Sequence, residues 1–166
     1  MADAASMLVD TMPARPSAWD IVDALVPAWA DLAMVCLPDQ DRLLVTAFAH
    51  IDPLQMKALR EFQDTHTPRI DDPHSAMARV FRTALPLLMT PAELRAMEEK
   101  FTNPAVRAAV RVLGPRTTLI APLLDPATES PCGVLLTAMS TSGRRVDDAD
   151  LQTLSALGRL LGARLR

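Results

Sequence analysis

Apolar residues recur along this chain with two different periods, and the alternation between them sets out the elements. Ser17 makes an N-cap for a helix that places Trp19, Val22, Leu25, Val26 and Trp29 at helical spacing, and Pro27 should end that helix early. From Leu32 to Leu37 every position is apolar, as in a strand covered on both faces, and Leu43 to His50 is a second strand of the same kind. Pro38-Asp39-Gln40-Asp41 between them is a turn, and so short a connection allows only an antiparallel hairpin.

A helix is predicted over Pro53 to Thr65, with Leu54, Ala58, Leu59 and Phe62 on one stripe. Asp72-Pro73 reads as an N-cap followed by Pro at the first helical position, opening a helix through Thr83. Leu85 to Met89 is a short strand. Thr90-Pro91 and Asn103-Pro104 repeat the cap-plus-Pro signal before helices to Lys100 and Leu113, the second stopped by Gly114-Pro115. Thr117 to Leu124 and Gly133 to Ser140 are two more strands, joined by a turn-rich segment. The last helix starts at Asp147, with Asp150 three residues on and Leu151, Leu154, Leu157, Leu161 and Leu165 recurring behind it. Hairpin-linked strands exclude a doubly wound parallel sheet. Strands apolar on both faces need helices on both sides, so the fold expected is a three-layer α+β domain with a central antiparallel sheet. That domain should cover 17–166, behind a flexible leader, 1–16, that lacks periodicity.

Composition narrows the function. The 166 residues carry 17 Lys and Arg against 20 Asp and Glu, a net charge of -3, with 4% aromatics and no Tyr, so nucleic acid is a poor partner. No apolar run is long enough to span a bilayer, and the N-terminus lacks the order of a secretory signal. Cys36 and Cys132 build neither a disulfide scaffold nor a zinc knuckle. A cytoplasmic protein is expected.

Three stretches together resemble the GAF domain, a small sensory module related to PAS domains. Leu113-Gly114-Pro115-Arg116-Thr117-Thr118-Leu119-Ile120-Ala121-Pro122-Leu123 is similar to its Gly-then-strand segment ending in Pro-Leu. Gly133-Val134-Leu135, continuing into Gly143-Arg144-Arg145-Val146-Asp147-Asp148-Ala149-Asp150-Leu151, is similar to its last strand and the acidic cap of its final helix. Pro73 to Thr83 resembles the helix before its central strand. The resemblance implies a cup on one sheet face where small molecules bind, and output through terminal helices to an effector in a signalling protein.

Within that cup His74 is the first candidate, since on the expected helix it shares a stripe with Met77 and Phe81 beside a helix N-terminus able to hold an anion. Thr118 and Thr137 would add hydroxyls if their pleat faces inward, and Phe48, Met77, Phe81 and Met139 would form an apolar wall. His50 and His66, ending a strand and a helix, read as structural, and the three His lack the spacing of a metal site. The acidic clusters at Asp71-Asp72 and Asp147 to Asp150 read as helix starts.

Several chemistries associated with GAF domains are disfavoured. No Cys occurs in 51–116 to anchor a bilin and no His in 75–121 to hold haem, and the Asn-Lys-Phe-Asp-Glu constellation of cyclic-nucleotide binding is missing. The favoured reading is a sensory module without catalysis. A ligand-free dimerisation module is the alternative, and a thiol-based free methionine sulfoxide reductase a third. Gly158 and Gly162, one turn apart on one helix face, suggest close backbone approach, and with it a homodimer through the first and last helices.

Overall fold

The computed structural model describes residues 3–165. In chain order the elements are α1 (Ala4–Asp10), α2 (Ala18–Leu25), β1 (Leu32–Asp39), β2 (Arg42–His50), α3 (Met56–Thr65, entered through a single 3-10 turn at Pro53–Gln55), α4 (Ala76–Thr83), β3 (Leu87–Met89), α5 (Pro91–Lys100), α6 (Pro104–Leu113), β4 (Thr117–Leu124), β5 (Pro131–Met139) and α7 (Asp148–Gly162). The strands form one sheet in the order β2-β1-β5-β4-β3, every neighbouring pair antiparallel. No helix among the described residues is long and apolar enough to cross a membrane.

Helix starts follow local chemistry. Ser17 with Asp20, Thr90 with Glu93 and Asp147 with Asp150 each form a reciprocal capping box, satisfying two orphan N–H groups apiece. The α6 stop is Gly114 in the left-handed region, φ 52°, where a Cβ would be strained. One feature of the leader differs from expectation. Residues 4–10 form a helix capped by Asp3, and Ala5, Val9 and Met12 are buried against the core because α1 packs on α7.

Both sheet faces are covered, so the fold has three layers. On one face Ala33 and Val35 of β1, Leu119, Ala121 and Leu123 of β4, and Leu135 and Met139 of β5 pack against α1, α2 and α7. On the other, Leu32, Met34 and Cys36, Ile120, and Val134 and Ala138 pack against α3, α4, α5 and α6.

Two contacts fix how α7 sits. A Cβ on Gly158 would lie 2.3 Å from the Pro122 carbonyl oxygen, and one on Gly162 2.0 Å from that of Leu124. The close approach expected of these glycines is therefore made to β4 of the same chain, not to a second copy. At the other end of the helix, the Asp31 carboxylate accepts the backbone N–H groups of Ser140 at 2.8 Å and Ser142 at 2.9 Å, tying the start of β1 to the β5–α7 connection. Burial alone would raise the Asp31 pKa. The N–H groups of Ser140 and Ser142, with His50 nearby, outweigh it and hold the carboxyl below its usual value of 3.8.

Two outcomes follow from these contacts. Gly158→Ala should cost about 1–3 kcal/mol in urea unfolding, although Ala favours a helix interior by about 1 kcal/mol, whereas Arg159→Ala at the exposed neighbour should change stability by less than about 0.5 kcal/mol. Asp31→Ala strands two backbone donors and should cost roughly 1–3 kcal/mol at neutral pH. Because the folded pKa is depressed, this advantage of the native protein is complete above the unfolded value and disappears as pH falls below 3.8, measured as converging unfolding midpoints.

Candidate functional site

The layer made by α3 to α6 does not close completely on the sheet. A cavity of about 70 Å³ remains, almost wholly apolar, floored by Leu32, Met34, Met89, Ile120, Leu136 and Ala138 and roofed by Phe62, Met77, Leu94, Met97, Phe101, Val110 and Leu113. Its polar side chains are Thr118, Ser75 and His66. Thr118 is 4% exposed and stands opposite Ala138 in the β4–β5 ladder, which turns both toward the cavity. The Ser75 hydroxyl is already used, accepting the Ala78 N–H as the cap of α4.

His66 sits where α3 ends, its backbone N–H donating to the Phe62 carbonyl at 2.8 Å. Its imidazole lies between two rings, 4.7 Å from the Phe62 centroid and 5.3 Å from that of Phe101. Burial drives its pKa down to about 4, against a weaker upward pull from Asp72, so the ring is neutral at physiological pH.

His66, Ser75, Met97 and Phe101 are shared with an open polar groove of about 620 Å³ outside, which also touches Arg42, Arg69, Asp71, Asp72, His74, Lys100 and Asn103. A second groove of about 260 Å³ shares Ser75, Ala76, Met89 and Met97 with the cavity and runs past His74, Arg79, Glu93 and Lys100. The apolar chamber thus lies directly beneath outer grooves that carry charged and polar side chains, which form its mouth side.

Of the seven residues expected at the cup, Met77 and Thr118 line the chamber. His74 does not. Helix α4 is capped by Ser75 and begins at Ala76, while the Asp72 carboxylate accepts the His74 N–H at 2.8 Å, making Asp72-Pro73-His74 a turn. His74 is therefore exposed at the mouth instead of lying on the inward stripe. Thr137 and Met139 belong to the opposite face, because the ladder that pairs Thr118 with Ala138 gives the chamber residues 136 and 138 of β5. Thr137 is fully buried there with its hydroxyl unpaired. Phe48 packs at the β2 edge against the Trp19 ring, centroids 5.3 Å apart, and half-buried Phe81 lies beside the core outside the chamber lining. The chamber also takes in His66, expected only as a structural residue ending a helix, and Met97 and Phe101, which the residue pattern does not single out. Phe62 and His66 are four residues apart, so continuing the apolar stripe of α3 by one turn would have reached His66.

Other reactive groups are committed to structure. His50 Nδ1 accepts the Asp52 N–H at 2.9 Å and its Nε2 lies 3.5 Å from the Ser140 hydroxyl, so despite the nearby Asp31 no carboxylate orients the ring toward a nucleophile. Burial lowers the His50 pKa, opposed by Asp52 and Asp31. Cys36 is wholly buried, its Sγ 3.4 Å from Met77 Sδ, and burial pushes its thiol up to about 12. Cys132 donates to the Leu123 carbonyl at 3.3 Å, and burial and Asp125 raise its pKa too. The two sulfurs belong to opposite sheet faces. No group of three or more His, Cys, Asp or Glu among the described residues is placed to hold a metal ion.

No sequence family and no curated protein sequence matches the chain. Solved structures do. The GAF domain of a phosphoenolpyruvate-protein phosphotransferase from Coxiella burnetii is similar at TM-score 0.65 and 14% identity, over 96% of this chain and 87% of that one. The corresponding domain from Acinetobacter gives 0.63 and 13%, over 95% and 85%. Free methionine-R-sulfoxide reductase from Neisseria meningitidis, solved with its substrate, gives 0.61 and 14%, over 96% and 82%. With an antiparallel five-stranded sheet between two helical layers and this architecture shared over most of their length, the chain has the GAF fold.

Proposed function

We propose that the protein is a cytoplasmic sensory or regulatory module without catalysis of its own, which binds a small molecule in the chamber between the sheet and α3–α6. One observation carries this reading: an apolar chamber shares the wall residues His66, Ser75, Met97 and Phe101 with a groove open to solvent that carries charged and polar side chains. That combination of apolar lining and a few placed polar groups is the usual make-up of a small-molecule site. The similarity to GAF domains of phosphotransferases supports a regulatory role. A thiol reductase is supported less, since Cys36 and Cys132 point into different cores and both thiols are held protonated.

Output in this reading passes through α7 to an effector or to a second copy of the chain. Met7 of α1 and Leu160 of α7 are exposed apolar side chains on that packed pair, at 61% and 36%. Light scattering of the protein at high concentration should give a dimer mass that Leu160→Lys with Met7→Lys reduces to a monomer. A monomer in the unaltered chain removes the dimer from the reading.

The chamber itself is tested by filling it. Ala138→Leu places added methyl groups in the cavity and should leave unliganded stability unchanged or raise it by up to about 1–2 kcal/mol. Native mass spectrometry of the freshly purified protein should detect a retained small molecule in the unaltered chain and none in Ala138→Leu. A bare mass for the unaltered chain, together with no thermal shift from any small metabolite, refutes the sensory reading.

A further inference from the structure

The chamber and its mouth differ enough in chemistry to restrict what fits across them. Its volume, about 70 Å³, is under half that of the roughly 150 Å³ apolar cavity that accommodates benzene, so it suits a branched group of three or four carbons and excludes a long chain or a fused ring. The lining offers little to a charge. Thr118 presents a buried hydroxyl, and neutral His66 stands between the Phe62 and Phe101 rings at the neck. An ionised group would be desolvated there without a partner, so it belongs outside.

At the mouth most charges are already engaged. Arg69 pairs with Asp41 at 3.2 Å and with Asp71 at 2.9 Å, while Arg42 donates to the Thr67 carbonyl. The Asp72 carboxylate is taken by the His74 N–H. Lys100 is different. It lines both outer grooves, as does His74, and among the described residues it forms no ion pair; Arg79, also without an ion pair, lines the second groove alone. Met97 and Ser75, their neighbours in the same grooves, also line the chamber.

We propose that the cup takes a short branched monocarboxylate, its apolar end in the chamber and its carboxylate at the mouth on Lys100 and His74. This rests on the sensory reading above and adds the ligand class. The Lys100 ammonium, the cation without an ion pair that is common to both grooves, balances a single negative charge, and Thr118 is left to hydrogen-bond a polar substituent near the branch.

Calorimetric titration with 3-methylbutanoate, its neutral isostere 3-methylbutanamide, acetate and octanoate tests the class. Binding of 3-methylbutanoate should be at least about tenfold tighter than that of the other three, a difference of about 1.4 kcal/mol. Lys100→Met, a change on an exposed side chain, should remove that advantage over the amide while leaving the amide unaffected. Equal binding of acid and amide, or of octanoate, overturns the proposal, as does an acid preference that survives Lys100→Met. If the amide binds in a manner that Ala138→Leu abolishes, the sensory reading survives the loss of the ligand class. If no probe binds and native spectra show the bare chain, both fall.

Discussion

Helix α7 lies directly on the backbone of β4, and the packing of one whole face follows from that contact. Gly158 stands over the Pro122 carbonyl and Gly162 over that of Leu124, distances at which no side chain fits between helix and strand. With the helix so close, Leu154, Leu157 and Leu161 reach full burial, and α1 then closes over the same core through Ala5 and Val9. Asp31 fixes where the helix begins relative to β1. The position of α7 is thus set by backbone contact with β4 and its approach by the Asp31 carboxylate, which leaves the helix's own side chains free to serve packing.

The opposite face is assembled differently. There α3 to α6 are separated by capped breaks at Ser75, Thr90 and Asn103, so each helix is short and placed by its own local start. These four short helices leave a gap against the sheet, and the gap is the chamber. The residues that give it character lie mainly at helix ends: His66 and Phe101 follow the last residues of α3 and α5, and Ser75 precedes the first of α4. Polar mouth and apolar chamber meet there because the backbone leaves regular structure at those points.

The element order was legible in the sequence because its signals are local. Capping pairs such as Asp147 with Asp150, the hairpin turn at Gln40 and the Gly114 stop need only neighbouring residues. The site was less legible, for reasons visible in particular residues. Asp72-Pro73 carries the same signal as Thr90-Pro91, yet one is a turn and the other a helix start, since Ser75 competes as a cap and holds the Ala78 N–H. Placing His74 inward depended on that choice. Thr118 and Thr137 illustrate a second obstacle. Strands apolar on both faces erase the alternation from which facing is read, so which threonine meets the chamber is decided by the β4–β5 register alone. The glycine pair told of a close approach, but nothing in its spacing distinguishes a strand of the same chain from a helix of another.

The two sides of the sheet also differ in how they yield. Around the chamber stand Met77 and Met97 on the helices and Met34 and Met89 on the sheet, unbranched thioethers whose torsions readjust at little cost, so the chamber's walls can yield by fractions of an ångström. Under Gly158 and Gly162 there is no such cushion: carbonyl oxygens bear on helix backbone, and any shift of β4 is a shift of α7. The domain is mechanically lopsided, soft where a guest would enter and rigid along its final helix, so a small strain taken up by β4 would reach α7 undamped.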